Sequence, residues 1–140
     1  MNIIGYDEFK KTDLYADFIK ENPDVGHLKV QVFTAYGAIP VSDTKIIITK
    51  DIEEYKVIFF QGETDSSGII SDIALPAPVT VTSLTPEVVP GYTIYELTAI
   101  HQGYETLKSY SIGVLGGVNI IQYVKMLPDI DIKGVDTNVS

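Results

Sequence analysis

Two histidines and a scatter of carboxylates are the groups in this 140-residue chain best suited to chemistry. Their spacing builds no recognisable catalytic unit. A zinc site needs three or four converging ligands, and His27 and His101 stand far apart with no His-x-x-x-His spacing. Cysteine is absent and no Gly-x-Ser-x-Gly elbow occurs, so neither histidine has a nucleophile beside it in a known arrangement. Both read as surface or loop histidines. Gly113-Val114-Leu115-Gly116-Gly117 lacks the Gly-Lys-Ser/Thr ending of a phosphate loop and reads as a turn between strands. Asp129-Ile130-Asp131-Ile132-Lys133-Gly134 opens like a calcium loop. Lys133 then falls where the fifth position needs an oxygen, and Ser140 where the twelfth needs a carboxylate. A solvated acidic tail is the better reading. Asp51, Glu53 and Glu54 are a charge run facing water. No catalytic, cofactor-binding or metal-ligating residue is assigned, and the expectation is a chain that is not an enzyme and needs no cofactor.

The bulk numbers narrow the partners. Net charge is −9 and the pI about 4.5. Such a field repels phosphate backbones and anionic lipid, which argues against nucleic acid and against membrane insertion. No apolar run approaches the ~20 residues of a spanning helix. The start, Met1-Asn2-Ile3-Ile4-Gly5-Tyr6-Asp7-Glu8, has no basic stretch ahead of an apolar one. It therefore reads as lacking a signal peptide, with synthesis in the cytoplasm and release by lysis or by incorporation into a larger body. Nine tyrosines accompany no tryptophan. Tyrosine suits protein interfaces and glycan stacking, although sandwich cores and corners also use it. Tyr6, Tyr15 and Tyr36 fall outside the strands or near their ends.

The elements follow from periodicity. Thr12 and Asp13 are helix-capping types ahead of Leu14, Tyr15, Phe18 and Ile19, which predicts a short amphipathic helix over 13–21. Asn22-Pro23 stops it. From Leu28 the period becomes two, with Leu28, Val30 and Val32 on one face. Further strands are expected over 45–50, 55–61, 69–75, 92–100, 106–112 and 118–126, with a Pro/Thr-rich connection over 79–90. Asp65-Ser66-Ser67-Gly68 is a turn in which Asp65 bonds its own backbone and Gly68 takes a positive φ. Gly103-Tyr104 marks a corner. Many short strands between turn signals predict a mainly β, antiparallel sandwich. Its inner face is expected to include Val30, Val32, Ile47, Leu97 and Ala99.

Four stretches then resemble a known family. They are Leu28-Lys29-Val30-Gln31-Val32-Phe33-Thr34-Ala35, Ala38-Ile39-Pro40-Val41, Thr64-Asp65-Ser66-Ser67-Gly68 and Leu75-Pro76-Ala77-Pro78. Together with the end Gly103-Tyr104 … Ile120-Ile121-Gln122-Tyr123-Val124-Lys125-Met126-Leu127-Pro128, they resemble the carboxypeptidase-regulatory-like domain of Firmicutes. That domain is a prealbumin-like (transthyretin-like) sandwich, found in small stand-alone clostridial proteins and at the front of spore cortex-lytic enzymes. The resemblance covers about 26–128. It implies a non-catalytic module in a spore or cell-wall setting. Related sandwiches form a Lys–Asn isopeptide bond, and this chain departs from their pattern. Val32-Phe33-Thr34 stand where the lysine belongs and Leu97 where the acid belongs; Glu96 is one residue off and so on the opposite face. Asn119 matches only the asparagine.

The reading that results has a helical attachment segment at 1–26, a sandwich at 27–128 and a polar tail at 129–140. Leu14, Tyr15, Phe18, Ile19 and Tyr36 are the candidate interface, and Asp65, Gly68, Gly103 and Tyr104 the structural turns. The expected function is a structural or interaction subunit of a spore- or cell-wall-associated assembly. A subunit of a prophage-like tail or baseplate and a carbohydrate- or peptidoglycan-binding module are the alternatives. A protein partner or self-association is expected, with a cell-wall glycan as the other ligand class.

Overall fold

The computed structural model describes residues 2–34, 39–80, 91–104 and 108–128. Tyr36, most of the 79–90 connection, the start of 106–112 and the 129–140 tail with its calcium-loop-like opening lie outside the described residues. The chain runs β1 (Asn2–Gly5), α1 (Tyr6–Phe9), α2 (Leu14–Glu21), β2 (Asp24–Thr34), β3 (Lys45–Ile52) and β4 (Tyr55–Glu63). It continues with β5 (Ile69–Ala77), β6 (Thr93–Ile100), β7 (Lys108–Val114) and β8 (Asn119–Met126).

The strands form two sheets, β1-β4-β3-β6-β7 and β5-β2-β8. The fold is therefore mainly β, but the expectation of an antiparallel sandwich is only partly correct. β1 runs parallel to β4, and His27–Thr34 of β2 runs parallel to the whole of β8. Alternation records which face of a strand is buried and carries no mark of its neighbour's direction.

The sheets close face to face on one core. Leu28, Val30 and Val32 of β2, with Ile73, Leu75, Val124 and Met126, meet Ile46, Ile48, Tyr95, Leu97, Ala99, Ile112 and Val114. In β6, Thr93, Tyr95, Leu97 and Ala99 are buried and the residues between them are not. Ile47 is a correction: Ile46 and Ile48 are buried and Ile47 lies half-buried on the other face. Ile46-Ile47-Ile48 is apolar throughout, so its phase cannot be read from the run itself. A bulge between Ile48 and Thr49 then shifts the register against β4.

The first 22 residues hold more than a helix. β1 and α1 were not anticipated, being too short to show a period. α2 ends at Asn22, whose backbone N–H and side-chain amide both donate to the Phe18 carbonyl, at 3.0 and 2.9 Å. Asp13 precedes α2 in helical conformation and caps nothing with its side chain. Thr12 Oγ1 instead donates to the Phe9 carbonyl at 2.8 Å. Phe9 and Phe18 pack with Val57 of β4 in a second, smaller core. Phe59 joins the two cores, its ring 5.6 Å from Phe18 and 5.0 Å from Tyr95.

Candidate functional site

The anticipated interface helix turns inward. Phe18 is 5% exposed, and Leu14 and Tyr15 pack half-buried on the same cluster as Tyr6, Phe9 and Phe59. Ile19 is half-buried beside Pro23, Val25 and Leu75. The apolar face of α2 thus closes on its own chain. Burial, helped by the neighbouring Tyr15, pushes the Tyr6 hydroxyl up to about 12.

The turn residues have a structural geometry. Asp65 Oδ1 accepts from Ser67 N–H at 2.8 Å and from Ile69 N–H at 2.9 Å. Gly68 has φ +74°, and a Cβ there would stand 2.3 Å from the Val32 carbonyl oxygen. Gly103 has φ +88°, and Tyr104 bridges to Pro128 with its ring edge-on to His101 at 4.9 Å.

A cleft of about 800 Å³ opens between α2, the end of β3 and the start of β6. Asp17, Glu21, Asp51 and Glu53 line it around Lys50. Lys50 Nζ is committed, donating to the Ile94 carbonyl at 3.0 Å. Its burial lowers its pKa, and Asp51 and Glu21 partly offset that. Among the described residues no three His, Cys, Asp or Glu side chains gather where a metal could be held.

The surface that stands out is the outer face of the three-stranded sheet. β2 turns Leu28, Val30 and Val32 to the core, so His27, Lys29, Gln31 and Phe33 face out. β8 buries Val124 and Met126 and turns Asn119, Ile121, Tyr123 and Lys125 out. Register places Ile121 beside Lys29 and Tyr123 beside Gln31. Ile121 is 52% and Tyr123 54% exposed, and Phe33 meets the Tyr123 ring edge-on at 6.3 Å. At one end His27 Nδ1 lies 2.9 Å from Asp72 Oδ1. A depression of about 400 Å³ there is lined by His27, Lys29, Asp72, Asn119 and Ile121. The face thus combines an aromatic and aliphatic platform with a cluster of hydrogen-bonding groups at one end. It can stack and bury apolar area. Sequence reasoning missed Ile121, Tyr123 and Phe33, although Ile120-Ile121 held a signal. Two adjacent isoleucines in a strand cannot both face the core.

No protein-family profile matches the chain, and no curated protein sequence does. Solved structures do resemble it. The Bacillus anthracis TIE protein is 18% identical with a TM-score of 0.52, over 75% of this chain and 17% of that one. The group B streptococcus pilus 2b backbone protein is 11% identical with a TM-score of 0.50, over 77% of this chain and 43% of that one. The Klebsiella pneumoniae 5-hydroxyisourate hydrolase is 14% identical with a TM-score of 0.49, over 74% of this chain and 90% of that one. The chain spans under a fifth of the TIE protein's length. These likenesses concern fold, and the fold they share with this chain is a β-sandwich. The expectation that the chain is not an enzyme is corrected: the structures similar to it include a hydrolase. At 14% identity that likeness assigns no reaction to this chain. Among the described residues no helix is long and apolar enough to cross a membrane.

Proposed function

We propose that the chain is an interaction module that makes its contacts through the outer face of the three-stranded sheet. The observation that carries this reading is the platform of exposed Ile121 and Tyr123 with half-buried Phe33 on β2 and β8. A strand face left to water ordinarily carries polar residues, and a grouped apolar surface marks a contact. The sequence resemblance to the Firmicutes carboxypeptidase-regulatory-like domain supports a role in a spore- or cell-wall-associated assembly. Binding of a wall glycan is the second reading. Tyr123 offers a ring for sugar stacking, and Asp72, Asn119 and His27 line the depression at the other end of the face with hydrogen-bonding groups.

The test compares the wild type with the double variant Ile121→Lys/Tyr123→Lys. Native mass reads self-assembly, and co-sedimentation with purified insoluble cell wall reads glycan binding. A difference in either assay supports the contact face. If the variant matches the wild type in both, the face is not the contact surface.

A further inference from the structure

Among the described residues four strands end the two sheets: β1 and β7 in one, β5 and β8 in the other. An open edge is a template for another strand, and the four edges differ in what they offer one. β1 has four residues. β5 carries an outward Asp72 and a Pro76 that has no N–H to offer. β7 turns Ser109, Ser111 and Gly113 outward. β8 has eight residues, no proline and no acidic side chain, and its outward apolar pair is exposed.

The phase of its backbone is also set. His27 N–H donates to the Val118 carbonyl at 3.0 Å, and His27 stands in register with Asn119. In a parallel ladder that phase commits the even residues of β8 to β2. The N–H and C=O groups of Asn119, Ile121, Tyr123 and Lys125 therefore point to the open side. Gln122 Nε2 bends to the Tyr123 carbonyl at 2.9 Å, which gives one of those acceptors a stopgap donor.

The outward residues Asn119, Ile121, Tyr123 and Lys125 run polar, apolar, apolar, polar. The pattern is the same in both directions about Gln122. Laid antiparallel on a second copy with Gln122 opposite Gln122, Ile121 meets Tyr123 and Asn119 meets Lys125. Odd residues then face odd residues, so the free backbone groups exchange bonds in register. Charge permits the approach: the chain carries −9, but β8 contributes Lys125 and no carboxylate, with Lys29 beside Ile121.

We propose that two copies of this chain pair through β8, antiparallel about a two-fold axis at Gln122, joining their three-stranded sheets into one of six strands. The proposal rests on the contact-face reading and names its partner as a second copy. A foreign strand would need no two-fold pattern in β8, whereas an isologous pair does. An interface built on one strand edge belongs to the small, reversible class, so the dimer forms in proportion to concentration.

The full-length chain is the reagent. Sedimentation and native mass should show a dimer that grows with concentration, and Ile121→Lys/Tyr123→Lys should weaken it about tenfold or more. Because the chain has no cysteine, Gln122→Cys supplies a single thiol at the axis and should give a disulfide-linked dimer under mild oxidation. Ile3→Cys on β1 should not. A monomer at every concentration overturns the proposal. So does a dimer indifferent to the two lysines, or one trapped through Ile3→Cys and not through Gln122→Cys. A monomeric wild type whose wall retention is still lost in the lysine variant refutes the pairing and leaves the contact face standing. If neither assay separates the two proteins, both fall.

Discussion

Asp65 and Gly68 make the turn between β4 and β5 by different means. The carboxylate takes two backbone N–H groups that would otherwise lack partners at the start of β5. Asp65→Ala should therefore lower unfolding free energy by about 1–2 kcal/mol in a denaturant titration, and Asp65→Asn by less. Gly68 is required twice, by its φ of +74° and by the Val32 carbonyl where a Cβ would stand. Gly68→Ala should cost roughly 2 kcal/mol or more, the strain of a positive φ being joined by a backbone collision. A loss under about 0.5 kcal/mol would show that the loop relaxes freely. Asp-Ser-Ser-Gly is legible in sequence because turn chemistry is local. The His27–Asp72 contact was not legible, because 45 positions separate its members and only the β2–β5 pairing brings them together.

The element that most departs from expectation is the N-terminal unit. Its short β1 extends the larger sheet while α1 and α2 cover Val57 and Phe59. Phe18→Ala should cost about 3–5 kcal/mol, since it removes a ring packed against Phe9 and Phe59. Deleting residues 1–22 should uncover that cluster, raising binding of an apolar dye and lowering solubility. A truncated chain as soluble and as stable as the intact one would show that the unit covers nothing of consequence. Among the strands, β6 gives the sharpest check of phase. Leu97 is fully buried, so Leu97→Ala should cost about 2–5 kcal/mol, and half-buried Ile47→Ala less.

Across the whole molecule the two cores meet at Phe59, with Tyr6 on one side and Tyr95 on the other. Burial raises the pKa of Tyr95, whose hydroxyl donates to the Pro76 carbonyl at 2.5 Å, and holds that of Tyr6 at about 12. An unfolded tyrosine ionises near pH 10. The stability tied to the Tyr6 proton is complete below about pH 10 and is lost as pH rises towards about 12. Lys50 acts in the opposite sense: its folded pKa is lowered, so its cost fades as pH rises towards 10.5. In denaturant titrations between about pH 10 and 12, Tyr6→Phe should flatten the fall in midpoint. An unchanged slope would mean that Tyr6 ionises as freely in the fold as in the unfolded chain.

Local residue order is enough for a mainly β chain, for the strand faces wherever polar and apolar residues alternate cleanly, and for the turn at Asp65–Gly68. Those are decided by neighbours a few positions apart. Packing settles what depends on distant partners. It set the parallel direction of β1 on β4 and of β2 on β8, and the inward closure of α2. It fixed the phase of Ile46-Ile47-Ile48, and it left Ile121 and Tyr123 outside. Hydrophobic period states how often a strand must bury a side chain. Only the packing of one sheet on the other states which side is buried, and which edge is left open.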